Sequence, residues 1–267
     1  MALRYCVNLS MLYTEYPFLD RFSKAARAGF TAVEYLFPYE FDRGELKTSL
    51  QDYGLTQALF NLHPGDTSAG EWGTLSNPSK RDYFRWSLNQ ALEFASSLGC
   101  LRLNTMVGKR IAGMERSEQV DCAVENLAWA APLAEQAGVM LLLEPLNPTD
   151  FPGCVLSRIA EAMELIRHVN HPNVKLQYDL YHAQMTEGNL IQTMVSHLPY
   201  IGHIQLADVP GRHEPGTGEI NYPAVLKALS ELPYSGYVGL EYRPSGDSDE
   251  SLAWLSSQAR GSKDLGT

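Results

Sequence analysis

Short apolar runs alternate with longer amphipathic segments along nearly the whole chain, and this alternation limits the possible folds more than any other feature. We predict eight strands, at residues 4–10, 31–37, 55–63, 101–107, 139–146, 174–180, 201–207 and 237–242. Eight helices are predicted at 17–28, 44–53, 80–98, 117–137, 157–169, 190–197, 222–232 and 249–258. Strands that alternate with helices pair in parallel through βαβ crossovers. Eight such units in 267 residues predict a single-domain α/β protein, a (β/α)8 TIM barrel over residues 1–260 with a frayed tail at 261–267.

An open doubly wound α/β sheet is the alternative fold. It is less favoured because the first strand–helix turn, NLSMLYTEYP, carries neither a GxGxxG signature nor a P-loop. Within the longest predicted helix, at 117–137, Ser117 is the predicted N-cap because Ser side chains accept hydrogen bonds from the first-turn N–H groups.

Composition limits the cellular setting and the partners. The formal net charge of −10 disfavours binding to nucleic acid and to anionic membranes. No run of about 18 uncharged apolar residues is present, so no transmembrane helix is expected. The start, MALRYCVNLSML, lacks the basic region of a signal peptide, and the four cysteines are scattered without a CxxC spacing. We therefore expect a cytoplasmic protein with free thiols, and its oligomeric state, including a homo-oligomer, stays open.

The stretch VMLLLEPLN at 139–147 is a buried strand that ends abruptly in a carboxylate, Glu144, followed by Pro145. The next strands end in the same way, at Asp179 and at Glu241, and the strand between them places His203 and Gln205 on one face. The carboxyl ends of barrel strands converge on one mouth. These polar side chains should therefore point to a common centre.

Three carboxylates in a mouth of low dielectric constant repel one another, and a divalent cation relieves that repulsion. With the Gln205 side-chain oxygen the donors are all oxygens, which suits Mg²⁺ or Mn²⁺ better than Zn²⁺. Open coordination positions would let the metal bind substrate oxygens and stabilise an enediolate, with two glutamates as acid and base. One acid at a strand end is usually a helix cap or an ion-pair partner, but four polar groups in register favour a site. Glu34, a lone case on the second strand, is about evenly balanced between the two interpretations.

Other polar residues are predicted near the same mouth. We take as candidate substrate-binding residues His63, Lys109, His182, His203 and Arg212. Each one alone is equally compatible with a surface or capping role. The polar loop at 65–73 is a candidate for either a lid or a subunit contact.

The chain resembles the hydroxypyruvate isomerase family, within the xylose isomerase-like barrels. The likeness covers nearly the whole chain, and the segments around Asp179 and at 202–222 are long and specific. The segments that carry it are NLSMLYTEYPFLDRF (8–22), VEYLFPYEFD (33–42), LLLEPLN (141–147), QYDLYHAQMTEG (177–188), GHIQLADVPGRHEPGTGEINY (202–222) and GLEY (239–242).

The resemblance implies a metal-assisted aldose–ketose isomerisation of a small-molecule substrate. Residues matching Glu144 and Glu241 act as the acid/base pair, and residues matching Glu144, Asp179, Gln205 and Glu241 hold the metal. Residues that match His182 and Arg212 contact the substrate. Related ketose 3-epimerases commonly carry His where this chain has Gln205, so the Gln fits the hydroxypyruvate isomerase pattern. For hydroxypyruvate, Lys109 and Arg212 are the candidate cations for the carboxylate.

Several other functions fit the same sequence. A ketose 3-epimerase or a 2-oxo-tetronate isomerase needs the same enediolate chemistry, and the sequence does not set the length of the pocket. A DNA-repair endonuclease on the same barrel uses a multi-zinc cluster rich in His, and here only His63, His182 and His203 are predicted at the mouth. A catalytically silent sugar-binding barrel would not require both Glu144 and Glu241.

Overall fold

The computed structural model describes residues 2–261, and its eight strands form one closed barrel in chain order. All neighbouring strands are parallel, and the last strand pairs with the first through Arg4 with Tyr237 and Val7 with Leu240. The predicted single-domain (β/α)8 barrel is confirmed. The predicted tail at 261–267 lies outside the described residues, apart from Gly261.

The strands and helices have the following bounds. The strands are β1 (Arg4–Asn8), β2 (Ala32–Glu34), β3 (Thr56–Asn61), β4 (Arg102–Asn104), β5 (Met140–Leu143), β6 (Val174–Asp179), β7 (Ile201–Leu206) and β8 (Tyr237–Leu240). The α-helices are α1 (Asp20–Arg27), α2 (Arg43–Asp52), α3 (Arg81–Leu98), α4 (Arg116–Gln136), α5 (Ile159–Val169), α6 (Leu180–Thr186), α7 (Leu190–His197), α8 (Tyr222–Ser230) and α9 (Ser257–Arg260). Single 3₁₀ turns occur at Thr67–Ala69, Pro78–Lys80, Leu198–Tyr200 and Glu250–Leu252.

Three local expectations were wrong. Helix α6 was not predicted, because it is short and follows β6 without a loop; Asp179 both ends the strand and caps the helix by accepting from the Tyr181 N–H at 2.8 Å. Ser117 is not the N-cap of α4, which begins at Arg116. The predicted helix at 249–258 is replaced by the 3₁₀ turn Glu250–Leu252 and the short α9, which Ser256 caps through the Ala259 N–H.

The main core lies between the barrel and the helices. Helix α3 shows the pattern, burying Phe84, Leu88, Ala91 and Ala95 at the spacing of one helical face. Fully burying a side chain such as Phe or Leu contributes about 1.5–3 kcal/mol. Inside the barrel the packing is more polar, because Cys6, Glu34 and other polar side chains are completely enclosed there. The apolar layer between the barrel and the helices holds the strand ends, and hence the mouth of the barrel, in fixed positions.

Two further sequence expectations bear on the described residues. All four cysteines are free thiols. No helix in the range 2–261 combines the length and the apolar character needed to cross a membrane.

Candidate active site

The carboxyl ends of the strands open into a cavity of about 520 Å³. Its floor carries Glu144, Glu241, His182 and Arg212. One wall is aromatic, because the Trp72 and Phe151 rings contact each other with centroids 5.3 Å apart, and Phe151 also meets His182. Trp72 belongs to the polar loop predicted as a lid or a subunit contact, and here that loop forms part of the cavity wall. The cavity therefore combines ionisable groups with a face that excludes water.

Glu144 follows β5 directly and faces the cavity half-buried. Asn104, at the end of β4, donates from Nδ2 to Glu144 Oε2 at 2.8 Å and fixes the orientation of the carboxyl group. Burial, together with the nearby charge of Asp179, raises the pKa of Glu144 to about 8. This carboxyl group can therefore hold or release a proton near neutral pH.

Glu241 follows β8 and is buried. Arg212 Nη2 donates to Glu241 Oε2 at 2.8 Å, and Asn8 Nδ2, at the end of β1, donates to Oε1 at 3.3 Å. Burial raises the pKa of Glu241 well above its usual value, and the charge of Glu144 adds to this while Arg212 opposes it. The same Arg212 nitrogen lies 3.3 Å from Asp179 Oδ2, so one guanidinium links two of the three carboxyl groups.

Arg212 is held in place by the loop that follows β7. Its backbone φ is +58°, a left-handed conformation that is uncommon for a residue with a side chain. Asp208 organises this loop from inside: its two carboxylate oxygens accept four backbone N–H groups at 2.8–3.0 Å, from Val209, Gly216, Gly218 and Ile220. The buried Asp208 therefore defines the path of the chain that carries Arg212 into the site.

His182, in the first turn of α6, is a neutral donor. Burial and then the charge of Arg212 lower its pKa well below the usual value. The backbone N–H of Asn147 donates to Nδ1 at 3.3 Å, which leaves the ring proton on Nε2. Nε2 lies 3.6 Å from Asp179 Oδ2 and borders the cavity. His182 is thus arranged to donate a hydrogen bond.

Glu34 lies completely buried at the end of β2, and its carboxylate accepts hydrogen bonds on both oxygens. Its partners are Asn8 Nδ2 at 3.1 Å, Cys6 Sγ at 3.2 Å, Gln205 Nε2 at 2.9 Å and His203 Nε2 at 2.7 Å. Burial acts to raise the pKa of Glu34, but His203 and the hydrogen-bond donors outweigh it and lower the pKa. Glu34 is therefore a carboxylate that organises the polar interior of the barrel.

The hydrogen bond to Glu34 fixes the amide of Gln205. Because Nε2 must face the Glu34 carboxylate, the side-chain oxygen points the other way and accepts from Gln177 Nε2 at 2.5 Å. A carboxamide oxygen has a second lone pair and can still bind a cation.

The donor set fits a divalent cation. Two of the expected ligands lie close together, because carboxylate oxygens of Glu144 and Asp179 are within 4.8 Å of each other. The pKa values of Glu144 and Glu241 are raised by burial and by neighbouring carboxylates, which is the charge accumulation that a cation relieves. Cys6, Glu34 and His203 form a second close group, but burial and then Glu34 raise the pKa of the Cys6 thiol well above its usual value, so this group is a hydrogen-bonded cluster.

Some of the predicted site residues line the cavity and others do not. Glu144, Glu241, His182 and Arg212 line the cavity, whereas Asp179 and Gln205 lie buried just beside them. His203 is fully buried against Glu34, so it does not reach the cavity.

Two other predicted residues lie outside the described lining of the cavity. His63 borders a neighbouring pocket, where its Nδ1 meets the Tyr83 hydroxyl at 2.5 Å. The exposed Lys109 belongs to the loop after β4. Asn8 and Asn104 were not among the predicted site residues, because the predicted strands ran on to residues 10 and 107, whereas β1 and β4 end at these two asparagines.

The structure is a closed parallel (β/α)8 barrel with acidic side chains at the ends of its strands. The profile of the xylose isomerase-like TIM barrel family matches residues 22–258, and the chain belongs to that family. It is 44% identical over 252 residues to a 2-oxo-tetronate isomerase of Cupriavidus necator, covering 94% of this chain and 97% of that protein. It is also 44% identical over 254 residues to the hydroxypyruvate isomerase of Escherichia coli, covering 95% of this chain and 98% of that protein. With relatives of this kind over its full barrel, the chain is an isomerase.

Among solved structures, the barrel superposes with a TM-score of 0.92 on a protein described as AP endonuclease, family 2, from Brucella melitensis. The two chains are 41% identical, and the match covers 94% of this chain and 97% of the other.

Proposed function

We propose that this protein is a divalent-metal-dependent isomerase that interconverts hydroxypyruvate and tartronate semialdehyde. The observation that carries the proposal is the pair of glutamates, Glu144 after β5 and Glu241 after β8, that face one cavity from different sides. Asp179 and Gln205, between them in strand order, complete a set of oxygen donors. Relatives named hydroxypyruvate isomerase and 2-oxo-tetronate isomerase support the assignment.

Glu144, Asp179, Gln205 and Glu241 would hold Mg²⁺ or Mn²⁺. When bound, such a cation polarises the substrate carbonyl and stabilises negative charge on its oxygens. Glu34 would contribute to this site by binding the Gln205 amide nitrogen. The Gln205 oxygen then points away from Glu34, so the side chain offers the cation an acceptor and not a donor.

Proton transfer falls to the two glutamates. One of them removes a proton from C3 of hydroxypyruvate, and a proton is delivered to C2, while the hydroxyl proton moves from the oxygen on C3 to the oxygen on C2. Asn104 and Asn8 hold the two carboxyl groups in position through hydrogen bonds of 2.8 and 3.3 Å. The neutral His182 donates from Nε2 to a substrate oxygen, and Arg212 keeps Glu241 oriented.

Replacing either glutamate by its amide tests this scheme. We expect Glu144→Gln and Glu241→Gln each to lower kcat by about 10²–10⁴-fold, the contribution typical of a positioned acid or base. The exposed Glu164→Gln on α5 serves as a matched control and should keep wild-type kcat. Formation of tartronate semialdehyde is followed by proton NMR, and full activity in either active-site variant would refute the two-glutamate scheme.

Two related enzyme activities would use the same enediolate chemistry. A 2-oxo-tetronate isomerase, the name of several relatives, would act on a keto acid one carbon longer, and a ketose 3-epimerase would act on free sugars. A screen of metal-stripped and Mg²⁺- or Mn²⁺-restored protein against hydroxypyruvate, 2-oxo-tetronate, fructose and tagatose separates the three.

The similar Brucella melitensis protein is described as an AP endonuclease, so nuclease activity of this chain is tested separately. Of the described residues that line the cavity, His182 is the one histidine, and the formal net charge of the chain is −10. We expect no binding to a duplex with an abasic site at low salt, and specific binding with strand cleavage would instead support a nuclease.

A further inference from the structure

We propose that the Arg243 guanidinium binds the substrate carboxylate and so selects 2-keto acids over neutral ketoses. This proposal rests on the proposed function and deepens it, because it assigns the substrate class to one residue. Arg243 lies two residues beyond Glu241 and lines the same cavity.

Two backbone hydrogen bonds hold the segment that follows β8, and Glu241 and Arg243 both line the cavity. Glu241 N–H donates to Leu206 O at 3.1 Å, and Arg243 N–H donates to Arg212 O at 2.8 Å. Side chains alternate along an extended chain, so residues 241 and 243 face the same way, about 7 Å apart along the backbone. Tyr242, between them, is fully buried, is not part of the described lining, and donates from its hydroxyl to Ser251 O at 3.2 Å. Arg243 therefore points to the region beside the proposed proton-transfer glutamate.

The backbone of Arg243 is fixed, but its guanidinium has no partner among residues 2–261. Its carbonyl oxygen meets His213 Nδ1 at 2.7 Å, and its N–H is bound to Arg212 O. The acids nearby are occupied: Glu214 accepts from the Ser245 N–H at 3.0 Å and from the Ser245 hydroxyl. Glu15, also on the cavity wall, accepts from the Ser248 hydroxyl at 3.2 Å.

The other candidate cations are unsuitable for a carboxylate of the substrate. Arg212 is already paired with Glu241 and Asp179, and Lys109 lies outside the described lining of the cavity. A guanidinium presents two parallel N–H groups that match a carboxylate, and such a pair is stronger than a neutral hydrogen bond. In a cavity that also contains Glu15, Glu144 and Glu241, a substrate anion needs this partner.

The test compares two substrates that undergo the same proton transfer. Hydroxypyruvate carries the carboxylate, whereas dihydroxyacetone has a neutral hydroxymethyl group in its place. For Arg243→Gln we expect KM for hydroxypyruvate to rise about 10- to 100-fold, as for the loss of a charged hydrogen bond. The kcat/KM for dihydroxyacetone should stay within about twofold by the same reasoning, since that substrate makes no such bond. Arg243→Lys should recover part of the affinity, and Arg110→Gln, at an exposed arginine outside the lining, is the matched control.

Equal losses on both substrates, or an unchanged KM for hydroxypyruvate, would overturn the proposal. A binding measurement separates its failure from failure of the proposed function. Glycerate keeps the carboxylate but cannot isomerise, and glycerol lacks the charge. Titration calorimetry of Mg²⁺-loaded protein should show glycerate binding in wild type that weakens in Arg243→Gln and not in Arg110→Gln. If the wild-type protein does not turn over hydroxypyruvate, the proposed function fails, while glycerate binding that depends on Arg243 still supports the carboxylate site. Glycerate binding that is the same with and without Arg243 overturns the carboxylate site.

Discussion

Glu144→Gln should stabilise the metal-free protein at alkaline pH while it lowers the proposed activity. The pKa of Glu144 is raised from 4.5 to about 8 by burial and by the charge of Asp179, so the folded state favours the protonated carboxyl group. Below pH 4.5 the carboxyl group is protonated in both the folded and the unfolded states. As the pH rises toward 8, ionisation is easier in the unfolded chain, and stability is lost. A glutamine is neutral throughout and avoids this loss.

The size of the effect follows from the two pKa values. At about 1.4 kcal/mol for each pH unit, the interval from 4.5 to about 8 corresponds to at most about 5 kcal/mol. Glu144 borders the cavity and is only half-buried, and solvent there reduces the cost. We therefore expect Glu144→Gln to add about 2 kcal/mol to the free energy of unfolding at pH 9 and almost nothing at pH 5. The Asn104 Nδ2 donor remains satisfied, because the amide oxygen replaces Oε2 as acceptor.

Urea unfolding in EDTA, followed at pH 5, 7 and 9, measures this difference. Glu164→Gln, an exposed glutamate on α5, should show no pH-dependent change relative to wild type. The reasoning is refuted if Glu144→Gln is no more stable than wild type at pH 9, or if its advantage is the same at pH 5. Adding Mn²⁺ should reverse the order, because the variant lacks one proposed ligand oxygen.

Three further outcomes are expected. Binding of Mg²⁺ or Mn²⁺ should release protons and tighten as the pH rises from 6 toward 8, because the cation displaces protons from carboxyl groups such as Glu144 whose pKa values are raised. Calorimetry in two buffers of different ionisation enthalpy measures the number of protons released. Glu34→Gln replaces an acceptor of four hydrogen bonds by a group that also donates, and should destabilise the fold by about 3 kcal/mol in urea unfolding. Gly239→Ala would place a methyl group 2.5 Å from both Glu34 oxygens and should lower Tm and weaken metal binding together, whereas Gly246→Ala, with open space around it, should change neither.

The barrel and the core of the candidate site could be predicted from the sequence, because both follow from strand periodicity. Wherever an apolar run ended in Glu or Asp, the closed barrel carried that residue to the mouth, as for Glu144 and Asp179. The residues that sequence reasoning located less well depend on contacts between distant segments. His203 lies on the predicted face of β7 but faces Glu34, which is 169 positions away. Such a pairing becomes visible only when the barrel is closed.

Loop residues were hardest to place, since no periodicity fixes the path of a loop. Lys109 follows a predicted strand and His63 ends one, yet Lys109 is exposed and His63 contacts the Tyr83 hydroxyl. Arg243 shows the reverse case. It was not among the predicted site residues because the predicted strand ended at Tyr242, one residue before it, although a spacing of two from Glu241 is that of side chains on one face of an extended chain.

Asp208 has a consequence for how enzymes on this barrel can diversify. Because one internal carboxylate holds the loop at 208–220 together through the N–H groups of Gly216, Gly218 and Ile220, the path of the chain that carries Arg212 depends on the backbone at these positions and not on the exposed side chain of Thr217. A different side chain at Thr217 would leave these hydrogen bonds in place, whereas an insertion between Gly216 and Gly218 would displace them. New substrate preferences can therefore be selected through exposed side chains of this loop while its backbone, and with it Arg212, stays in place.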